Sequence, residues 1–109
     1  MMQSLHKGQE FRTAYDSGHS MANRDLVMYV SKNGLDYNRI GIVVSKRIGN
    51  SVVRHRIKRL IKESLRCNGD RISIGLDIIV IARGTSKGKT QAEITDALMH
   101  LCGLQKILV

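Results

Sequence analysis

The most constraining feature of the chain is a basic stretch at residues 45–66, which reads SKRIGNSVVRHRIKRLIKESLR. Eight of the chain's 18 lysines and arginines fall within these 22 residues, and Glu63 is the only acid among them. No proline or glycine follows Gly49 here, and apolar residues recur at helical spacing. The sequence therefore predicts a helix over residues 52–66, with Asn50 or Ser51 capping its first free N–H groups.

The two sides of this helix differ in chemistry. One narrow apolar stripe, suited to docking on a core, is formed by Val53, Ile57, Leu60 and Ile61. The opposite arc carries His55, Lys58, Arg59, Lys62 and Arg66, and the stripe is flanked by Arg54 and Arg56. Most charged helix faces are only solvated, but balancing acids are nearly absent here, and arginine binds phosphate through two N–H groups. The helix is therefore predicted to bind a polyanion, with Lys46 and Arg47 above a phosphate-favouring N-terminus.

The overall composition agrees with a folded domain that has a negatively charged partner. The 109 residues carry a formal net charge of +9, and 42% of them are hydrophobic, too many for a disordered basic tail. We expect residues 1–109 to form a single domain that binds a polyanion. The apolar runs are too short to span a membrane, and the first residues lack a signal peptide's apolar segment. Cys67 and Cys102 have no pairing or metal-binding spacing, which predicts reduced thiols in a cytoplasmic protein.

The remaining elements indicate a small sheet with helices on it. The predicted helices lie at residues 7–16, at 52–66 and after a capping box at residues 90–93; the predicted strands are 25–31, 39–45 and 77–83. The resulting order, α-β-β-α-β-α, predicts an α/β (α+β) sandwich with a small central sheet, and an extra short strand is compatible with it. The strands on either side of the basic helix could be parallel neighbours.

Three of the four aromatic residues are candidates for a binding surface. Phe11 and Tyr15 are spaced i, i+4, so their rings share one face of the first helix. Such a pair is ordinarily part of a core, but this helix has little other large apolar surface, so the rings could instead line a groove. Tyr29 lies on the less apolar face of its strand, and small residues at Gly41 and Ser45 would leave a shallow channel on that same face.

The sequence offers no catalytic constellation. The four histidines are scattered, no pair of acids has the spacing of a nuclease metal site, and no phosphate-binding glycine-rich loop occurs. We therefore expect no catalytic residue and no metal ligand in this chain. Rings beside a cationic rim suit single-stranded nucleic acid, and a dense basic helix suits the backbone of folded RNA.

In its motifs the chain resembles the bacterial ribonuclease P protein component. The resemblance is centred on SKRIGNSVVRHRIKRLIKE and extends to Phe11-x-x-x-Tyr15-x-x-Gly18, to SMANRDLVMYV and to DIIVIAR, and so covers nearly the whole chain. One position departs from the family pattern: His55 stands between Arg54 and Arg56, where asparagine is usual.

The resemblance implies a subunit of a ribonucleoprotein that removes the 5′ leader of precursor tRNA. Its partners would be the catalytic RNA, which performs the Mg²⁺-assisted hydrolysis, and precursor tRNA. It implies no cofactor bound by the protein alone, no membrane, no obligate protein partner, and a left-handed βαβ crossover through the basic helix. It implies RNA contacts at Lys46, Arg47, Asn50, Arg54, His55, Arg56, Lys58, Arg59, Lys62 and Arg83. For Lys58, Arg59 and Lys62, a generic solvated basic rim is an equal alternative. The leader cleft would contain Phe11, Tyr15 and Tyr29.

The main alternative is a structural RNA-binding protein of the ribosomal type, which never contacts a substrate. The charge of the chain would suffice for that role. Such a protein has no need for three aromatic rings beside a basic helix, so the two hypotheses differ in whether Phe11, Tyr15 and Tyr29 share one open face.

Overall fold

The computed structural model describes residues 2–6 and 8–109, and it is an α/β sandwich as predicted. Its elements are β1 (Met2–Ser4), α1 (Gly8–Ser17), β2 (His19–Ala22), β3 (Leu26–Lys32), β4 (Asn38–Val43), α2 (Ser51–Cys67), β5 (Leu76–Ala82) and α3 (Gln91–Leu104). Short 3₁₀ turns follow α2 and β5, at Gly69–Arg71 and Gly84–Ser86. The predicted start of the first helix, Lys7, lies outside the described residues.

All five strands form one sheet in the order β1-β4-β5-β3-β2. β5 occupies the centre, parallel to β4 and antiparallel to β3. The basic helix α2 thus connects two parallel neighbours, as the sequence indicated. The left hand of this connection stays a prediction.

The observed sheet differs from the predicted one in having two additional short strands, one at each edge, whereas the prediction allowed a single additional strand. β1 pairs with β4 and β2 pairs with β3. All four residues of β2 are exposed, and β1 has only three residues, so neither shows the alternation by which strands are recognised. β4 also ends at Val43, two residues earlier than predicted.

The larger core lies between the sheet and the pair α2 and α3. Ile57, Leu60 and Ile61 of the apolar stripe of α2 are buried there as predicted, and Val53 is half-buried at its start. The two helices are also joined by polar contacts, because Gln91 Nε2 donates to Leu60 O at 2.8 Å and to Ser64 Oγ at 2.7 Å. The packing leaves the cationic arc of α2 on the outside.

The opposite face of the sheet is covered only in part, by α1. Ala14 is the one buried residue of this helix, and it packs with Ile79 of β5. A methyl group added to Gly41 would lie 2.5 Å from the Phe11 ring, so the glycine makes room for that ring. The shallow channel expected from small residues is therefore occupied by Phe11 at this position.

A polar cluster lies where β4 and β5 begin. Arg39 donates to both carboxylate oxygens of Asp77, from Nε at 2.8 Å and from Nη2 at 2.7 Å, and Asn33 Nδ2 donates to the same carboxylate at 2.9 Å. Asn38, at the start of β4, is buried; its Nδ2 donates to Ser73 O and its Oδ1 accepts the Leu76 N–H. Burial opposes ionisation of Asp77, but the bonds from Arg39 and Asn33 outweigh it, and the pKa of Asp77 is lowered.

The lowered pKa of Asp77 makes part of the stability dependent on pH. A carboxylate with a lowered pKa stabilises the fold above its unfolded pKa of about 4, and this contribution is lost as pH falls through the folded pKa. Asp77→Asn should therefore lower the free energy of unfolding by about 3 kcal/mol at pH 7 and by clearly less at pH 3. Urea unfolding at both pH values measures this difference.

The matched control is Asp36→Asn, which removes an exposed carboxylate. It should change the free energy of unfolding by less than about 0.5 kcal/mol. Equal losses for Asp77→Asn at the two pH values would contradict the ionised pair.

Candidate nucleic-acid interface

The loop before α2 and the first turn of the helix form a dense cationic corner. Asn50 caps the helix, because its side chain accepts the Val53 N–H at 3.0 Å. Arg54 Nε donates to Gly49 O at 3.3 Å and so ties the helix to this loop. Lys46 and Arg47 are exposed, and the first turn contains no acid. Free amide groups and cations therefore coincide here, which favours an anion.

A groove of about 1260 Å³ runs between α2 and the side of the sheet formed by β1 and β4. One wall is formed by β1 and β4, with Ile40 and Ile42 on it. The other wall is α2, which contributes His55, Lys58, Arg59, Lys62, Leu65 and Arg66. We call this surface the basic groove. Among the described residues, none of its two lysines, Arg59 or His55 forms an ion pair, so these side chains are available to a ligand.

Arg66 lies in the basic groove but was not among the predicted contacts. Its guanidinium binds Glu63, and hydrogen bonds from Arg66 and then from Cys67 lower the pKa of Glu63 to about 2. The sequence placed Arg66 on the cationic arc. Because Arg66 lies at the end of the helix, the sequence could not distinguish a ligand-binding side chain from one that is only exposed to solvent.

Six of the ten predicted contacts do not line the basic groove: Lys46, Arg47, Asn50, Arg54, Arg56 and Arg83. Arg54 and Arg56 are two residues apart, which on a helix turns their side chains about 160° from one another, so they flank α2 on different sides. Arg83 is exposed at the end of β5, and its Nη1 donates to Asn23 O at 3.1 Å. The predicted cations therefore surround the start and outer side of α2, with Arg83 apart from them.

The three candidate rings form a continuous row on the α1 side of the sheet. The centroids of Phe11 and Tyr15 are 6.5 Å apart with planes at 39°, and those of Tyr15 and Tyr29 are 4.9 Å apart in an edge-on contact at 87°. Tyr29, Ile79 and Gly41 are neighbours across three strands, so the row runs across the sheet. We call these three rings the aromatic row.

The aromatic row is neither sealed inside the fold nor fully exposed. All three rings are half-buried, and they pack around Ile79 and Ala14. Burial raises the pKa of Tyr15, and Tyr29 raises it further, so the hydroxyl of Tyr15 stays neutral at physiological pH. The rings therefore combine the two predicted alternatives, core packing and the lining of a groove. One side of the row packs on a small core, and the other faces outward.

The aromatic row and the basic groove meet at Phe11. This ring covers Gly41 from the α1 side and also lines the basic groove beside β4. The cations of the basic groove and the aromatic row thus form one surface on the side of the sheet where β1 and β4 lie. Cations suit phosphates, and aromatic rings suit unpaired bases. Such a surface can hold a nucleic acid that is partly single-stranded.

Other chemistry has little support in the part of the chain that the structure describes. Residues 2–6 and 8–109 contain no group of three His, Cys, Asp or Glu side chains placed to hold a metal ion. Burial raises the pKa of the Cys102 thiol to about 11, and Cys67 is an exposed free thiol. No helix in these ranges is long and apolar enough to span a membrane.

Comparisons with known proteins agree on one family. Residues 2–105 match the family model for ribonuclease P. The ribonuclease P protein component of Lachnoclostridium phytofermentans is 56% identical over 99% of this chain and 93% of its own length. The Staphylococcus aureus RNase P protein superposes with a TM-score of 0.89 at 39% identity, covering 97% of each chain. The Thermotoga maritima protein gives 0.84 at 32% identity, over 92% of this chain and 94% of its own. The chain belongs to the family of bacterial ribonuclease P protein components.

Proposed function

We propose that this chain is the protein subunit of ribonuclease P and assists removal of the 5′ leader from precursor tRNA. The observation that carries the proposal is the junction at Phe11, where the aromatic row meets the basic groove. A folded RNA presents phosphates to cations, whereas an unpaired leader presents bases to rings. Family membership, established over nearly the whole chain, supports the same role.

The two parts of the surface would serve different RNAs. The basic groove and the cationic corner before α2 would bind the backbone of the catalytic RNA. The aromatic row would hold the leader. The side chains on both parts are cations and rings, which bind and orient RNA, so hydrolysis with Mg²⁺ is assigned to the RNA partner. We expect this assembly in the cytoplasm, in keeping with two free cysteines.

A structural RNA-binding protein without substrate contact is the less favoured alternative. The basic groove alone would satisfy such a role. It does not account for three half-exposed rings on the other side of the sheet. Exposure of aromatic surface to water is unfavourable, and a ligand that stacks on the rings covers that surface.

Reconstitution tests the proposed function directly. Precursor tRNA cleavage is measured at low Mg²⁺ with the organism's catalytic RNA, with and without this chain. We expect the chain to raise the cleavage rate at low Mg²⁺ and to matter less at high Mg²⁺, where the metal itself screens the phosphates. An equal rate with and without the chain at low Mg²⁺ would refute the assignment.

Tyr29→Ala tests the leader part of the aromatic row. It should weaken binding of precursor tRNA by about 1 kcal/mol, the contribution of one stacked base, and leave mature tRNA unchanged. Tyr29→Phe keeps the ring and serves as the matched control, with affinity close to that of the original chain. Equal weakening for precursor and mature tRNA would contradict a leader site.

Arg59→Ala and Arg54→Ala test the phosphate contacts. Each should weaken binding of the catalytic RNA and reduce the slope of log Kd against log salt by about one charge. Lys32→Ala removes an exposed cation that does not line the basic groove, and it should leave the slope unchanged. Slopes that fall equally for all three variants would show only the general effect of net charge.

A further inference from the structure

The guanidinium of Arg39 joins the centre of the sheet to the helix that carries two of the rings. Its Nε and Nη2 bind the buried carboxylate of Asp77, and its Nη1 lies 3.3 Å from Glu10 Oε2 on α1. All three nitrogens are thus engaged by carboxylates, and the charge of Arg39 is neutralised. Arg39 is therefore poorly suited to bind phosphate, although it lies on the α1 side of the sheet.

The apolar packing of α1 on the sheet is limited, so the ion pair between Glu10 and Arg39 adds a second attachment near the start of the helix. Ala14 is the only buried residue of its ten, and Phe11 and Tyr15 are half-buried. Glu10 also accepts the His6 N–H on its Oε1, at 2.9 Å, at the start of the helix. At the other end, Ser17 Oγ lies 3.4 Å from Ser31 Oγ, near the limit of a hydrogen bond.

We propose that Glu10, Arg39 and Asp77 form a brace that sets the position of the aromatic row for leader recognition. Glu10 directly precedes Phe11, so a shift of α1 would move the rings of Phe11 and Tyr15 relative to Tyr29, which is fixed on β3. The brace residues act through the rings and are positioning residues. This inference rests on the proposed function, because it assigns the brace to the leader rather than to the catalytic RNA.

The brace and simple electrostatics predict opposite effects for Glu10→Gln. The substitution removes an acid from the surface of a polyanion-binding protein, so charge alone would tighten binding of every RNA. The amide retains an oxygen for the His6 N–H but loses the ion pair with Arg39. A less firmly held α1 would instead weaken the binding of precursor tRNA but not of mature tRNA, because only the leader stacks on the rings.

The experiment measures the affinity of the reconstituted ribonucleoprotein for precursor and mature tRNA, together with the affinity of the chain for the catalytic RNA. With Glu10→Gln, we expect the ratio of the two tRNA affinities to fall about threefold, part of the effect of one lost stacking contact. Affinity for the catalytic RNA should stay the same or rise. Glu93→Gln is the matched control, because it makes the same change in the capping box of α3 and should leave the ratio unchanged.

A double variant separates action through the rings from independent action. If Glu10 acts by positioning, Glu10→Gln should add little to the loss caused by Tyr15→Ala, because the ring that it positions is already absent. Fully additive losses would overturn the brace. Tighter binding of both tRNAs by Glu10→Gln would also overturn it.

Tyr29→Ala distinguishes failure of the brace from failure of the proposed function. An unchanged ratio for Glu10→Gln with a reduced ratio for Tyr29→Ala would overturn the brace and keep the leader site. An unchanged ratio for both variants would overturn the leader site and the brace together.

Discussion

Burial of the apolar stripe of α2 against the sheet orients every cation on that helix. Ile57, Ile61 and Leu65 are at most 2% exposed, so rotation of the helix about its axis would expose them. Because side chains on a helix are spaced by about 100°, fixing this stripe directs the opposite arc outward beside β4. Parallel pairing of β4 and β5 holds both ends of the connection. The packing of α2 on the sheet therefore determines both the core and the position of the basic groove.

The same logic explains why much of the site could be predicted from the sequence. The stripe of α2 and its cationic arc follow from residue spacing alone, and Asn50 caps the helix as one of two predicted candidates. The capping box at Thr90 and Glu93 is also confirmed. The alternation in β3 placed Tyr29 on the face opposite Leu26 and Met28, and the structure confirms that face. These are local patterns, in which residues a few positions apart decide the outcome.

Contacts between distant parts of the chain could not be predicted in this way. Arg39 and Asp77 are 38 positions apart, and neither has a sequence context that names its partner. Asparagine generally favours turns, yet the side chain of Asn38 forms hydrogen bonds with the backbone of Ser73 and Leu76, 35 and 38 positions away. The ring of Phe11 over Gly41 likewise depends on how α1 lies on the sheet. Recognising a filled channel requires the tertiary arrangement.

Four of the acids form ion pairs or close a helix cap. Arg39 engages both Glu10 and Asp77, Glu93 closes the cap of α3, and Glu63 binds Arg66 at the end of α2. The contacts of Arg39 link the strands to α1, whereas those of Glu63 and Glu93 lie within or at the end of single helices. In the part of the chain that the structure describes, the lysines and Arg59 of the basic groove form no ion pair. Repulsion among those cations costs folding free energy, which the buried core must offset. A polyanion bound in the groove would remove this repulsion, so the proposed RNA ligand would stabilise the fold by the same interactions that give it affinity.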